Sequence, residues 1–246
     1  MANSKNNKKK QLILIRGLHN KLDNGNGPID WRVCYKSLLE NVIKYFDDYD
    51  IYFQTYDSAD INELIKVYNP KKYINYPLNE FNKHNQGRNI SKLLELVDDI
   101  EKYDSIFVTR FDILYKISLN NWAIKENYIN IFFKHPDKYP FFNRISDVVF
   151  LFNNKNIDEF KSAIEAKQNK WANGNLHDVK FNKSENVMID KRYYSDTDYP
   201  EYFPLNDNPF YILHRKRNKK NWNAETAFNA AKEQGFIGKH KEFFIK

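Results

Sequence analysis

Two side chains of opposite charge stand two positions apart at the end of one apolar stretch of the sequence. The run Ser105 to Val108 is rich in strand-forming residues, and Arg110, Phe111 and Asp112 follow it after Thr109. Alternation along a strand places Arg110 and Asp112 on one side and Phe111 on the other. A guanidinium and a carboxylate so placed can face a phosphate group and a metal ion together. The alternative is a structural ion pair at a strand end, because such pairs also cluster charges.

The elements that must carry this pair alternate between strands and helices. Strands are predicted at Gln11–Ile15, Tyr49–Tyr56, Lys72–Tyr76 and Ser105–Phe111, and helices at Trp31–Phe46, Ile61–Tyr68 and Gly87–Ile100, with Asp60 capping the second. This order predicts the α/β class, with a mixed, mostly parallel sheet flanked by helices. Ligands of such sheets bind outside the carboxyl ends of the strands. Arg16-Gly17, Thr55–Asp57 and Arg110–Asp112 all fall at those ends.

The rest of the chain is predicted in less detail. We expect strands at Tyr128–Lys134, Asp147–Phe152 and Phe210–Leu213, helices at Ile157–Ala166 and Asn223–Gln234, and polar loops at Leu78–Gln86 and Trp171–Tyr202. Residues 1–10 are expected to be a disordered basic tail. Residues 11–246 are expected to form a single domain, with a nucleotide-binding half (11–115) and an acceptor half ending in the C-terminal helix (116–246).

Charge is concentrated in two short clusters of the 246-residue chain. The net charge is +7, yet nine positive charges lie in the clusters Lys5–Lys10 and Arg215–Lys220, so the remainder carries −2. Such clusters can bind nucleic acid or an anionic surface, but a solvated tail is the commoner explanation. Cys34 is the only cysteine, which favours a core thiol and a reducing compartment. Because no apolar run is long enough to span a membrane, we expect a soluble, cytoplasmic protein.

Several classes of enzyme are excluded by missing motifs. The sequence has no G-x-G-x-x-G, no G-x-x-x-x-G-K-[ST] and no G-x-S-x-G. A dinucleotide-binding fold, a P-loop enzyme and an α/β-hydrolase are therefore disfavoured. A cysteine-based zinc site is excluded, because there is one cysteine. What remains is an α/β sheet with a carboxylate at the end of its fourth strand.

At this point the sequence resembles GT-A fold glycosyltransferases, and particularly their small viral and bacterial members. In these a Y-D-x-[IVF]-[IVF]-x-x-R-x-D strand replaces the usual D-x-D, and the first strand ends in a basic residue and glycine. The matching pieces here are Tyr103 to Asp112, Leu12 to Gly17, Asp147 before a hydrophobic strand, His177, and Asn208 to Tyr211. The resemblance spans roughly residues 11 to 215.

The resemblance implies an enzyme that takes a nucleotide-sugar donor and a glycan or protein hydroxyl acceptor, with Mn²⁺ or Mg²⁺ as cofactor. Its viral members also suggest a virus that replicates in the cytoplasm as the source. Asp112 and His177 would hold the metal, which neutralises charge on the departing diphosphate. Arg110 departs from the acidic first position of D-x-D and can bind a phosphate by its fork. This departure puts a firm metal requirement in doubt.

For several further residues the resemblance suggests a role in the site, and each of them also has a simpler structural explanation. Arg16 and Gly17 would lie beside the nucleotide, and Tyr56 would stack on its base or ribose; a surface arginine and ordinary packing are the alternatives. Gln86 and Arg88 begin a helix, where amides and the dipole favour a diphosphate. Asp147 would be the general base, or else a cap, and His177 a solvent-exposed side chain instead of a ligand. The competing functions are a nucleic-acid-binding protein and a metal-dependent nucleotidyltransferase.

Overall fold

The computed structural model describes residues 9–19, 31–83, 85–115, 118–122, 124–131, 148–168, 187–189 and 210–212. Asp147 and His177 lie outside these residues, as do residues 1–8, the cluster Arg215–Lys220 and the predicted C-terminal helix. Among the described residues, no helix is long and apolar enough to cross a membrane.

Strands and helices alternate through the first half of the chain, as the apolar pattern predicts. In chain order the elements are β1 (Lys10–Arg16), α1 (Trp31–Asn41), β2 (Asp48–Tyr56), α2 (Ile61–Tyr68), β3 (Lys72–Tyr76), α3 (Gln86–Glu95), β4 (Ser105–Arg110), β5 (Ile113–Tyr115), β6 (Ile129–Ile131), β7 (Phe150–Asn153), α4 (Ile157–Gln168), β8 (Val187–Ile189) and β9 (Phe210–Ile212). Short 3-10 helices lie at Ile43–Tyr45, Leu78–Lys83, Ile100–Lys102, Leu119–Asn121 and Asn154–Asn156.

Seven of these strands form one mixed sheet in the order β3-β2-β1-β4-β7-β6-β8. The pairs β1–β2, β1–β4, β2–β3 and β6–β8 are parallel, whereas β7 runs antiparallel to both β4 and β6. Strands β5 and β9 form a separate antiparallel pair. The predicted class, an α/β fold with a mixed, mostly parallel sheet and flanking helices, is confirmed.

Both faces of the central strands are buried, which explains their unbroken apolar runs. On one face Ile13, Ile15 and Phe53 pack in a cluster with Trp31 and Leu38 of α1 and with Leu64 of α2. On the other face Leu12, Leu14 and Tyr52 pack with Ile90 and Leu93 of α3 and with Phe160 of α4. Alternate residues of each strand therefore point to the α1/α2 face or to the α3/α4 face.

Several predicted boundaries differ from the observed ones. Helix α3 ends at Glu95 and not at Ile100, because Asp98 and Asp99 follow and negative charge opposes the dipole at a helix C-terminus. The predicted loop Leu78–Gln86 contains a 3-10 helix, and Val187–Ile189, expected within an irregular segment, forms β8. Strand β1 begins at Lys10, which therefore belongs to the sheet and pairs with Asp48 instead of joining the tail.

The predicted capping role of Asp60 is wrong in its detail. Asp60 occupies the N-cap position of α2, but its side chain makes no capping hydrogen bond there. The carboxylate instead accepts hydrogen bonds from the Trp31 indole at 2.7 Å and from the Ser58 hydroxyl at 2.7 Å. Contacts with Trp31 of α1 and with the nearby Ser58 therefore occupy the carboxylate in place of a cap.

Candidate functional site

Two arginine residues end adjacent parallel strands on the α3/α4 face of the sheet. Arg16 is the last residue of β1 and Arg110 the last of β4, and the register pairs these two residues directly. Arg16 also pairs with Gln54 of β2. Register partners on neighbouring strands point to the same face, and Arg16 and Arg110 are only 3% and 8% exposed. The carboxyl edge therefore concentrates buried cationic charge.

Asp112 lies on the same side as Arg110 and binds it. The Arg110 Nε–H donates to Asp112 Oδ1 at 2.8 Å, and a terminal guanidinium nitrogen donates to Oδ2. Phe111 points to the opposite face, where its ring contacts those of Phe53 and Tyr68 at 5.4 and 5.3 Å. Alternation thus holds as expected. The observed geometry is that of the structural ion pair, the alternative interpretation of this motif.

Tyr56 extends this polar cluster along β2. Its phenolic oxygen accepts a hydrogen bond from the Asn89 amide at 3.3 Å. Burial raises the pKa of Tyr56, and hydrogen bonds with Asn89 and Gln54 and the charge of Arg16 oppose that rise. The phenol is therefore neutral at pH 7 and lies within electrostatic reach of Arg16. Its ring centroid is 6.1 Å from that of Tyr76.

Asn89 and Gln54 are cluster residues that sequence reasoning missed. Both are almost fully buried, although amides are usually exposed. A signal for them exists in the sequence. Gln54 interrupts the apolar run of β2, and Asn89 stands four positions before Leu93 on the buried stripe of α3. A polar residue at a core position in the first turns of a helix that begins at the sheet's carboxyl edge indicates a polar site there.

Gln86 and Arg88 lie at the start of α3, as predicted. Asn85 is the N-cap, and its side-chain oxygen accepts a hydrogen bond from the Arg88 backbone amide at 2.8 Å. This amide is thus engaged within the chain and is not directed at an anion. Gln86 is half-buried and Arg88 exposed. Burial raises the pKa of Tyr76, opposed by the charges of Lys92 and Arg88, so Arg88 lies at the rim of the cluster.

Gly17 makes the turn that follows Arg16. Its φ is +101°, a left-handed conformation that residues with a Cβ rarely adopt. Its amide donates to the Gln54 carbonyl at 3.1 Å, and its carbonyl accepts a hydrogen bond from the Thr55 hydroxyl at 3.0 Å. The backbone therefore fixes the direction in which the chain leaves the Arg16 position.

The residues that the structure describes do not fit a metal centre by themselves. Within them, no group of three or more His, Cys, Asp or Glu side chains is placed to hold a metal ion. Both oxygens of the Asp112 carboxylate are bonded by Arg110. The predicted second ligand, His177, and the predicted base, Asp147, lie outside the described residues. The described site is thus cationic and polar, with guanidinium groups as its charged components.

Comparison with known proteins identifies no relative by sequence. No family model matches the chain, and no curated protein matches it. Among solved structures, an active-site mutant of LgtC aligns over 91% of this chain and 95% of its own, with 13% identity and a TM-score of 0.45. The inositol-1-phosphate CTP transferase from T. maritima aligns over 63% and 74%, with 14% identity and a TM-score of 0.38. Likenesses of this degree identify no family, activity or substrate for this chain.

Proposed function

We propose that this protein is a glycosyltransferase of the GT-A type, which moves a sugar from a nucleoside-diphosphate sugar to a hydroxyl acceptor. The observation that supports this most strongly is the pairing of Arg16 with Arg110 at the carboxyl ends of β1 and β4. Burying a guanidinium group is costly unless an anion accompanies it. Both guanidinium groups are almost fully buried, and a bound diphosphate would place negative charge beside them.

The polar groups around this pair suit a nucleotide. The fork of an arginine matches the oxygens of a phosphate. Tyr56 is only 1% exposed, so the half-buried ring of Tyr76, which lies against it, is the aromatic surface that we propose for a base or ribose. Arg88 at the rim adds a cation on the approach to the site. In this proposal Arg16 and Arg110 bind the diphosphate, Gly17 allows the backbone to pass close to it, and Gln86 and Arg88 border it.

In the transfer step the acceptor loses a proton and the departing nucleoside diphosphate gains a negative charge. The acceptor oxygen attacks the anomeric carbon and loses its proton to a base, for which we propose Asp147. The bond between the anomeric carbon and the diphosphate breaks, and the nucleoside diphosphate leaves with an added negative charge. Fixed guanidinium groups stabilise that charge without reorganising. No step is assigned to Mn²⁺ or Mg²⁺, because the described residues alone do not form its ligand set; its requirement, with Asp112 and His177 as ligands, is tested separately.

A panel of UDP-, GDP-, CMP- and dTDP-sugars, each with and without Mn²⁺, tests the proposal by thermal shift. One nucleotide series is expected to raise the melting temperature of the full chain. Release of the nucleoside diphosphate in the presence of acceptors is the matching activity readout. Release of pyrophosphate from a nucleoside triphosphate would instead indicate a nucleotidyltransferase. Salt-dependent oligonucleotide binding without any response to nucleotides would indicate the nucleic-acid-binding alternative.

A further inference from the structure

His19 lies shortly after Arg16, in the connection that leaves β1 at the carboxyl edge of the sheet. It is 1% exposed, whereas histidines are on average only partly buried. Its Nδ1 lies 2.5 Å from Thr55 Oγ1 and its Nε2 lies 2.7 Å from Ser58 Oγ. The proposed transfer step uses none of these three side chains, so their burial and hydrogen bonds have another role.

The hydroxyl of Thr55 links the imidazole to the turn at Gly17. It donates its single proton to the Gly17 carbonyl at 3.0 Å, so its oxygen can only accept at the contact with His19. Nδ1 is therefore the donor of that hydrogen bond. Thr55 is fully buried, and the Gly17 amide donates to the Gln54 carbonyl at 3.1 Å. A continuous chain of hydrogen bonds thus joins the imidazole to both backbone polar groups of the turn.

The other nitrogen of the ring, Nε2, is held by Ser58 and Asp60. Ser58 donates its proton to Asp60 Oδ1 at 2.7 Å, so it accepts from Nε2, which lies 3.5 Å from the same carboxylate. Burial lowers the pKa of the imidazole from 6.5, opposed by Asp60. When the ring is neutral, Nε2 is the nitrogen without a proton, because Ser58 can turn its hydroxyl to it while Asp60 keeps its hydrogen bond from Trp31. Nδ1 is protonated in both charge states, so the link to Thr55 persists.

The ring of His19 also packs against the strand end that carries the second arginine. It contacts the ring of Phe111 edge-on, with 5.9 Å between centroids, and Phe111 stands between Arg110 and Asp112. Arg110 ends β4, and the register sets it opposite Arg16 of β1. One buried side chain is therefore linked to both strand ends from which the two guanidinium groups extend.

We propose that His19 is a positioning residue that sets the affinity of the carboxyl edge for a diphosphate. Acting through Thr55, it holds the Gly17 carbonyl and so fixes the turn that presents Arg16. This role rests on the proposed function, in which a nucleoside diphosphate is the anion bound there. A charged group stabilises an anion best when it is already in place. Loss of the link therefore lowers affinity without removing any group that touches the ligand.

Substitutions at Thr55 test the link in the full chain. Thr55→Val removes the hydroxyl with little change of shape, and Thr55→Ser keeps it. UDP, GDP, CDP and dTDP are titrated by calorimetry, and hydrogen exchange of the Gly17 amide is followed by NMR. Thr55→Val is expected to raise both the Kd of the nucleotide that binds and the Gly17 exchange rate at least about 5-fold, the equivalent of one hydrogen bond. Thr55→Ser stays within about 2-fold of the native chain in both measurements.

Ser37→Ala is the matched control. Ser37 is a fully buried hydroxyl of α1 that donates to the Cys34 carbonyl at 2.8 Å and accepts from the Tyr115 amide at 3.0 Å. Its removal lowers the melting temperature but leaves the Kd and the Gly17 exchange rate unchanged, which separates loss of the link from general destabilisation.

A second pair of variants acts at the ring itself. The amide nitrogen of His19→Asn can occupy the position of Nδ1, and that of His19→Gln the position of Nε2. Both variants lose the ring, but only His19→Asn keeps a donor for Thr55. His19→Asn is therefore expected to bind the nucleotide at least about 5-fold more tightly than His19→Gln.

The outcomes separate the positioning role from the proposed function. An unchanged Kd or an unchanged Gly17 exchange rate in folded Thr55→Val overturns the role of His19, as does an equal effect of Thr55→Ser. If Thr55→Val does not fold, equal affinities of His19→Asn and His19→Gln overturn it. If no nucleoside diphosphate binds the native chain, the proposed function fails, and the Gly17 exchange rate alone decides whether the link holds the turn.

Discussion

Removal of the Asp112 charge is expected to destabilise the protein strongly. The substitution Asp112→Asn keeps the size of the side chain but leaves the Arg110 guanidinium without its bidentate partner. The two side chains are 8% and 5% exposed, so the lost partner is not replaced by bulk water. Breaking a buried ion pair on one side costs about 3–5 kcal/mol, and the neighbouring charge of Arg16 adds to the imbalance.

The expected loss is large enough to measure by two methods. In a chain of this size each kcal/mol lowers the melting temperature by about 2–4 °C, so Asp112→Asn is expected to melt about 6–20 °C lower. Equilibrium urea unfolding should show the same loss in the free energy of unfolding. We also expect turnover to be lost, because the diphosphate then meets a displaced Arg110.

A double-mutant cycle identifies the cause of the loss. The partner substitution is Arg110→Met, which leaves the Asp112 carboxylate unpaired, and the double variant removes both charges. Because a buried pair that is removed as a whole leaves no uncompensated charge, the double variant should lose at least about 2 kcal/mol less than the sum of the single losses. If the loss of the double variant equalled the sum of the single losses to within about 0.5 kcal/mol, a direct interaction between the two side chains would be refuted.

Four further predictions concern other parts of the molecule. Tyr56→Phe leaves the buried Asn89 amide without a hydrogen-bond acceptor and should cost about 1–3 kcal/mol in urea unfolding; an unchanged midpoint would contradict that contact. Gly17→Ala forces a Cβ into φ +101° and should cost about 1–2 kcal/mol, whereas a neutral effect would mean that the turn relaxes. Burial acts to raise the pKa of Asp50, but hydrogen bonds from Tyr103 and Lys71 and the charge of Lys10 hold it below 3.8. The stability this carboxylate contributes is therefore complete above pH 3.8 and lost as pH falls through the lower folded pKa, and the difference between the native chain and Asp50→Asn in urea should shrink over that range. Asp147→Asn should lower kcat more than donor affinity, and an effect on donor affinity alone would exclude it as the base.

The sequence predicted the nucleotide-binding half of the fold well, because its strands are buried on both faces. Runs such as Leu12–Ile15 can only be strands of a covered sheet, and the helices between them carry clear apolar stripes. The observed bounds of α2 and β3 are those predicted, Ile61–Tyr68 and Lys72–Tyr76. The antiparallel direction of β7 was not predictable in this way, since residue type carries no information on strand direction.

The placement of Arg110 and Asp112 was predictable from the sequence, but their contact was not. Alternation placed Arg110 and Asp112 on one side, yet their mutual hydrogen bonds depend on side-chain conformations that spacing does not determine. The register that sets Arg16 beside Arg110 depends on the pairing of β1 with β4, which are about ninety residues apart in the chain. The burial of His19 was not predicted, because its hydrogen-bond partners Thr55 and Ser58 lie in β2 and in the connection that follows it, nearly forty residues away.

Nucleoside-diphosphate binding by calorimetry tests the central claim, that buried guanidinium groups at the carboxyl edge form an anion site. The native chain is compared with Arg16→Gln and with the control Lys72→Gln, which removes one positive charge at the amino end of β3. Loss of a charge-assisted hydrogen bond of about 1.5–3 kcal/mol predicts a Kd roughly 10- to 100-fold higher for Arg16→Gln, and an unchanged Kd for Lys72→Gln. Equal affinities for the native chain and Arg16→Gln, or no binding of any nucleoside diphosphate to the native chain, would contradict the account.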